Sequence, residues 1–353
     1  MKVLALNPGG TSTKVAVFED RKQIFKKTIV HPDEEVISFK KVFDEFEYRM
    51  NTILKTLENE KIEIESLDAV VGRGGLMKPI PGGVYPVNDT MVEDLRNAIN
   101  GEHASNLGAP LARSLGERAG APAYIVDPVS VDEFHTLSRY TGIKDIVKPS
   151  WLHALNHKAV CRDVAARMGG KYEDYNFIVS HLGSGVSTAA HEKGKMIDGS
   201  GGRSDGPFSP ERSGGLPTFQ LINLCYSGEY THKEMVKKVS STGGFYSYLG
   251  TKDAKEVEDR ADAGDEQCKE VLAAFFYQVA KEIAMYGATL KGKVDRIIIT
   301  GGIAYSNWIS KEIEDRVGFL APIEVVPGEE ELEALALGAY RVLEGEETPK
   351  TYK

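Results

Sequence analysis

The sequence predicts an α/β protein built from two structurally similar halves, and three observations carry that reading. Short apolar strands alternate with helix-period segments along the chain. A plan of strand, Gly/Ser/Thr turn and strand occurs twice, as LALNPGGTSTKVAVF and VSHLGSGVSTAAH, about half a chain apart, a spacing too wide for a short-period repeat. Finally, 353 residues exceed one ordinary core, and at roughly 150 residues per domain the prior is about two.

The elements follow in order. Lys2 to Leu6 reads as a buried strand, then a turn through Pro8-Gly9-Gly10 and a return strand containing Val15, Val17 and Phe18. Apolar residues spaced by three and four over 40–60 predict an amphipathic helix. Leu67 to Val71 is a strand that runs into Gly72-Arg73-Gly74-Gly75, and Pro79 to Pro86 reads as a loop. Asn88 or Thr90 caps a helix to Ile99, and Tyr124 to Val126 is a strand ending at Asp127. In the second half, strands at Phe177–Leu182 and Val186–His191 flank the turn Gly183-Ser184-Gly185. A Gly-rich loop (199–215), a long helix (265–291), a strand Arg296–Thr300 turned into a helix by Gly301-Gly302, and a last helix near 330–344 complete the chain.

Composition narrows the function. Hydrophobic residues at 41% and charged residues at 27% are globular values, which excludes disordered and fibrous classes. A net charge of -9 argues against nucleic-acid binding and against a polybasic membrane patch. Cys161, Cys225 and Cys268 form no CxxC pair and fit a reducing compartment. With no signal-peptide pattern and no long apolar run, a soluble cytoplasmic protein without a membrane span is expected.

Three Gly-rich turns each follow an apolar strand, at Asn7–Thr13, His181–Ser187 and Thr300–Ser306. Backbone N–H groups in such turns can cradle phosphate oxygens, and Ser and Thr hydroxyls add donors. One such turn is usually only a hairpin; three of them point to a nucleotide. Neither GxxxxGK[ST] nor a strand-borne GxGxxG is present, so the phosphate sites have another design. Arg73 and Arg212 sit in glycine-rich backbone, where a guanidinium fork can meet an anion, although a solvated surface charge is an equal alternative. His153 and His157 lie four apart without the glutamate of a zinc motif, which favours one structural or catalytic histidine over a metal site. Asp127 ends a strand, where α/β proteins place reactive carboxylates, and a turn cap is the competing reading. Glu329-Glu330-Glu331 alone reads as a solvated helix start.

Taken together, LALNPGGTSTK, VVGRGG, ALNHK, SHLGSGVS, DGPFSPERSG, ITGG and PGEEELEALALGA resemble the acetate/butyrate kinase family of the actin-like, sugar-kinase-like ATPase superfamily. The resemblance runs from Lys2 to about Gly345, nearly the whole chain. The length, KPIPGGVYPVND and GPFSPERSGGLP are similar to the butyrate-phosphorylating branch rather than the longer acetate kinases.

The resemblance implies two ribonuclease H-like domains with an ATP cleft between them, at 1–131 plus 332–353 and at 132–331. It implies reversible Mg²⁺-dependent transfer of the ATP γ-phosphoryl group to a short-chain carboxylate, butyrate or a branched acid such as isobutyrate. It also implies at least a homodimer through the second domain. By matched motifs, Asn7 and Glu330 hold Mg²⁺, with Glu331 a close rival, and Thr11, Ser12, Thr13 and Lys14 surround the phosphates. Arg73 and Arg212 bind the carboxylate and neutralise the moving phosphoryl group, His157 donates to its oxygens, and Asp127 acts by position and charge. His181, Leu182, Gly183, Ser184, Gly185, Gly301, Gly302, Ile303 and Ser306, with Asp253 and Lys255, serve the nucleotide. Gly74 and Gly75 stand where acetate kinases carry bulkier residues, so the lost volume is expected to admit a four-carbon tail. The rivals are an acetate or propionate kinase and an ATP-driven chaperone or filament protein; the second has no carboxylate on which to use Arg73 and Arg212.

Overall fold

The computed structural model describes residues 1–201 and 205–353, so part of the Gly-rich loop expected over 199–215 lies outside the described residues. The chain divides into two compact units, residues 1–132 with 330–353 and residues 133–329. These limits move the expected ones by one residue at the first crossing and two at the second, which places Glu330 and Glu331 in the first unit.

In the first unit, β1 (Lys2–Pro8), β2 (Ser12–Glu19), β3 (Lys22–Val30), β4 (Ala69–Arg73), β5 (Val84–Pro86) and β6 (Ala123–Val126) form one sheet in the order β3-β2-β1-β4-β6-β5. β1 pairs antiparallel with β2 and parallel with β4. Side chains alternate across a strand, so Leu4 and Leu6 join Met50, Ile53 and Leu57 of the helix Phe46–Asn59 and Leu111 and Leu115 of the helix Gly108–Ala119 in one core. The helix Glu331–Leu343 also packs on this sheet, against β1 and β4.

The second unit repeats that plan. β7 (Asn176–Leu182), β8 (Val186–Glu192), β9 (Lys195–Ser200), β10 (Arg296–Gly301) and β11 (Ile323–Pro327) run in the order β11-β10-β7-β8-β9. Counted from its own first strand this is the order of the first sheet without its short edge strand, the expected ribonuclease H-like arrangement. The strands are apolar on both faces, as a sheet covered on both sides requires. Ile178, Ile297 and Ile299 pack on Phe275, Phe276 and Val279 of the helix Glu266–Thr289. Their neighbours Phe177, Val179 and Ile298 pack on Val160, Cys161 and Val164 of the helix Ala154–Arg167.

Some expectations needed correction. The loop 79–86 contains β5, whose Pro86 is tolerated because β5 is an edge. Leu67 ends a short turn instead of starting a strand, its N–H donating to Ile64 O at 3.1 Å. Gly302–Tyr305 is a single 3₁₀ turn in place of the expected helix start. The strands β3 and β9 and the helix Gly108–Ala119 carry no strong pattern in the sequence. β3 is an edge strand studded with Lys22, Lys26 and Lys27, a composition that discourages pairing with other chains.

Candidate active site

The end of β1 collects the first group of polar side chains. Asn7 is buried, its amide donates to Glu331 Oε2, and its Oδ1 accepts from Arg73 Nη1 at 3.3 Å. Arg73, half-buried at the end of β4, also reaches Glu331 Oε1 at 2.9 Å. Sheet order explains the meeting: β1 and β4 are neighbours, and Glu331 opens the helix lying on them. Glu330, the residue expected to serve a metal, is 64% exposed on its side chain and pairs with Lys26 at 3.1 Å. Glu331 is 13% exposed on its side chain. The first expectation is corrected accordingly: of the two carboxylates it is Glu331 that joins Asn7 and Arg73. A one-residue choice in a Glu run depends on where the helix begins, which the sequence locates only to within a turn.

The turn after Asn7 is held from inside the unit by a residue the motifs did not include. Arg49, fully buried on the helix Phe46–Asn59, donates to Gly9 O and Gly10 O at 2.9 Å each and to Thr13 Oγ1 at 3.0 Å. Glu45, one turn earlier, balances its charge at 2.7 Å. Thr13 is buried and Oγ1 also meets His31 Nε2 at 2.8 Å, so its hydroxyl is committed to the turn's interior. Thr11 and Lys14 are exposed and Ser12 is half-buried. The signal for Arg49 was present, since a charge between Phe46 and Ile53 falls on the buried stripe of its helix.

The segment after Arg73 is packed tightly. A Cβ added to Gly74 would stand 2.5 Å from Pro128 Cβ, and one added to Gly75 would stand 2.6 Å from Asn106 Cα. Both glycines are therefore close-approach positions against the protein itself, and the expectation that they open volume for an acyl tail is corrected. Ser130 Oγ bridges the segment, donating to Gly75 O at 2.9 Å and accepting from Met77 N at 2.8 Å. Asp127 follows β6 at φ +38°, an uncommon conformation for a residue with a Cβ. Its Oδ1 accepts from Gly83 N at 2.7 Å, and its own N–H donates to Gly83 O at 3.0 Å. A buried carboxylate in strained backbone at a strand end is a plausible working group by geometry, and it is braced to stay in place.

In the second unit the turn between β7 and β8 lies against the loop carrying Arg212. A Cβ on Gly185 would stand 2.8 Å from Arg212 Nη1, so the absence of a side chain there lets the guanidinium lie on the turn. Ser209 Oγ donates to Ser184 O at 2.7 Å and accepts from Arg212 N at 3.1 Å, fixing loop to turn. Beside them is a cleft of about 410 Å³ lined by Gly183, Ser184, Asp253, Lys255, Gly302, Ile303 and Ser306, together with Glu258, Asn307 and Glu329. This volume suits a small-molecule ligand. Seven of the expected nucleotide residues thus meet at one cleft, and Leu182 and Gly301 are the strand ends that carry its turns. Asp253 spends its carboxylate as a helix cap, accepting from Lys255 N at 2.9 Å and Glu256 N at 3.2 Å. Glu258, missed in the sequence, accepts from Ser306 Oγ and Asn307 N at 3.0 Å each and so holds the third turn.

The histidines divide differently from expectation. His157 is fully buried, with Nε2 at 2.9 Å from Ser187 Oγ and Nδ1 at 3.2 Å from His191 Nε2. Burial pushes its pKa down to about 3, so it is neutral. Both its nitrogens being engaged, His157 is removed from the candidate phosphoryl donors, a second correction. His153, immediately before the helix, is half-buried, with Nδ1 at 2.8 Å from Ser187 Oγ. Its ring stacks on that of His181 at 4.0 Å between centroids. His181 is itself buried, with Nδ1 at 2.8 Å from Asn156 Oδ1 and Nε2 at 3.1 Å from Glu329. Spacing alone could not choose between His153 and His157, because the choice depends on where the helix starts.

Among the described residues, no group of three or more His, Cys, Asp or Glu side chains forms a cage for a metal ion. The oxygens of Asn7 and Glu331 suit a hard cation that keeps most of its water and takes its other ligands from a substrate's phosphates. Among the described residues, no helix is long and apolar enough to cross a membrane.

Comparison with known proteins agrees with this assembly. Residues 138–321 match the Acetokinase family. The chain is 50% identical to Butyrate kinase 1 of Clostridium acetobutylicum and 49% identical to Butyrate kinase 2 of the same organism, each over 353 residues, covering 100% of this chain and 99% of the relative. The crystal structure of Porphyromonas gingivalis acetate kinase superposes with a TM-score of 0.78 at 18% identity, over 97% of this chain and 99% of that one, which speaks to the fold. By matched residues and full-length identity alike, this chain belongs to the acetokinase family.

Proposed function

We propose that the protein reversibly transfers the γ-phosphoryl group of ATP to the carboxylate of butyrate, or of a branched acid of similar size, giving an acyl phosphate and ADP. The carrying observation is the full-length match to butyrate kinases, joined to a site that offers two guanidinium groups to anions and that needs no general base. A short-chain carboxylic acid, with a pKa near the roughly 4 of a side-chain carboxyl, is already ionised at neutral pH. One carboxylate oxygen attacks the γ-phosphorus, the bond from that phosphorus to the bridging oxygen breaks, and ADP leaves with the electron pair. No proton has to move. The difficulty is bringing one anion against another, so catalysis is positioning and charge neutralisation.

Arg73 and Arg212 are proposed to bind the acid and neutralise the transferring group. Asp127, braced by Gly83, is proposed to act by position. The imidazole that donates to the phosphoryl oxygens is assigned to His153, half-buried where His157 is enclosed. Ser184, Asp253, Lys255, Gly302, Ile303 and Ser306 receive the nucleotide in the cleft they line. Asn7 and Glu331 are the proposed holders of Mg²⁺, which when bound supplies positive charge to the phosphate oxygens. The second unit is the proposed site of self-association. Its helix Thr218–Cys225 has no buried residue, and Phe219 and Tyr226 beside it are 80% and 87% exposed. A cytoplasmic setting is proposed with it, in keeping with three free cysteines.

Hydroxylamine trapping of acyl phosphate, with ATP and Mg²⁺ across acetate, propionate, butyrate and isobutyrate, tests the proposal. Product peaking at the four-carbon acids is expected. A peak at acetate would keep the reaction and move the substrate, while no product from folded, ATP-binding protein would point to a nucleotide-driven binding protein.

A further inference from the structure

Behind the turn of β7 and β8 runs a line of buried polar groups that the reaction does not touch directly. His153 Nδ1 lies 2.8 Å from Ser187 Oγ, and Ser187 Oγ lies 2.9 Å from His157 Nε2. His157 Nδ1 lies 3.2 Å from His191 Nε2, and His191 Nδ1 lies 2.6 Å from Tyr172 OH. Ser187, His157 and His191 are completely buried and Tyr172 nearly so. Each link holds one proton between two atoms, so fixing the direction at one end fixes every link.

The far end has a direction. Besides the Tyr172 hydroxyl, the Cys161 sulfur lies 3.7 Å from His191 Nδ1. Burial pushes the Cys161 thiol up, so it keeps its proton as a weak donor. Two hydrogen-bearing groups converge on one nitrogen, which therefore accepts. Burial also holds His191 and His157 well below their usual range, so each ring is neutral, one nitrogen a donor and the other an acceptor. His191 Nε2–H then donates to His157 Nδ1, and His157 Nε2–H donates to Ser187 Oγ. The Ser187 hydroxyl is left to donate to His153 Nδ1, and a neutral His153 carries its proton on Nε2. The opposite polarity would set the thiol hydrogen against an N–H of His191.

We infer that Ser187, His157, His191 and Tyr172 are positioning residues that hold His153 in the Nε2–H tautomer, so that a neutral imidazole presents a hydrogen-bond donor to the phosphoryl group. The inference rests on the proposed donor role of His153. It explains why a family of phosphate chemistry keeps three imidazoles in file where one would do the contact: the outer two set the proton's place on the first. Outer groups of this kind characteristically change activity about 10- to 100-fold when removed.

The test is ¹⁵N NMR of the full-length protein with labelled histidine, reading the ring couplings that distinguish the two tautomers. His153 is expected as Nε2–H. In Ser187→Ala, or in Tyr172→Phe if the first variant folds poorly, its signal should shift toward the other tautomer. Turnover should fall about tenfold or more, while KM for ATP and for the acid changes less than about twofold. An Nδ1–H tautomer in the unaltered protein overturns the chain whatever the activity. So does unchanged turnover in a Ser187→Ala variant whose tautomer has shifted. Full activity in His153→Ala overturns the donor role and the inference with it, while acyl phosphate trapped from that same variant leaves the reaction assignment standing.

Discussion

The two units build the same strand–turn–strand, yet they secure it by different means. In the first, a buried charge does the holding: Arg49 occupies the carbonyls of Gly9 and Gly10 from inside and is balanced by Glu45. In the second, neutral groups do it. Ser187, His157 and His191 line up behind the turn, and the nearby arginine, Arg212, lies instead against Gly185 with only partial burial. The two arginines look alike in the sequence and differ in what burial permits. A guanidinium whose donors are spent on backbone carbonyls and an internal carboxylate is a structural strut. One that keeps partial exposure beside a phosphate-sized cleft remains usable for an anion.

That contrast can be broken by experiment, and the largest effect should come from Arg212. Arg212→Ala should lower turnover about a thousandfold, in line with arginines that neutralise a transferring phosphoryl group, at nearly unchanged melting temperature. A large loss of stability instead would make Arg212 a second strut. Arg49→Met should do the reverse, stranding Glu45 and lowering stability by about 3 kcal/mol in urea titrations. Unchanged unfolding would abolish the distinction between the two turns.

Glu331→Gln should weaken the Mg²⁺ requirement of turnover by about tenfold or more, whereas Glu330→Gln should shift it less than about twofold. Metal titrations showing the reverse order would return the role to Glu330. Gly75→Ala should cost about 1–3 kcal/mol of stability, because its Cβ meets Asn106 backbone, and should leave the ratio of butyrate to acetate turnover unchanged. A changed ratio in a stable variant would restore the volume argument.

The smallest effect is on pH. Burial holds His31 at about 4 and His157 at about 3, against 6.5 as the ordinary value. As pH falls the unfolded chain takes up these protons first. Stability is therefore complete above about pH 6.5 and declines below it, toward the depressed values. Thermal melts should drop by a few degrees between about pH 7.5 and 5.5, and His157→Asn should flatten the slope from the second unit alone. Melts independent of pH across that range would mean that neither ring is held neutral.

The architecture was legible because its signals are local. Apolar runs bounded by glycine, such as Phe177 to Leu182, and the period of the helix Glu266–Thr289 need no distant partner to be read. The two-half plan came from the same source, and so did the glycine-bearing turns, since a nest depends on consecutive residues. Charged edge strands such as β3 stayed hidden because edges are selected against regular apolar pattern.

What the sequence could not decide were choices between near neighbours: Glu330 or Glu331, His153 or His157, open volume or packed contact at Gly74 and Gly75. Each of these depends on the helix start, the strand register or a side chain far along the chain. Asn7 meets Arg73 and Glu331 only because β1 and β4 adjoin and a helix from the end of the chain lies on both. Residue type set the available chemistry, while tertiary packing decided which of two equivalent side chains faces substrate and which is enclosed, because one helical step turns a side chain by about a quarter of a circle.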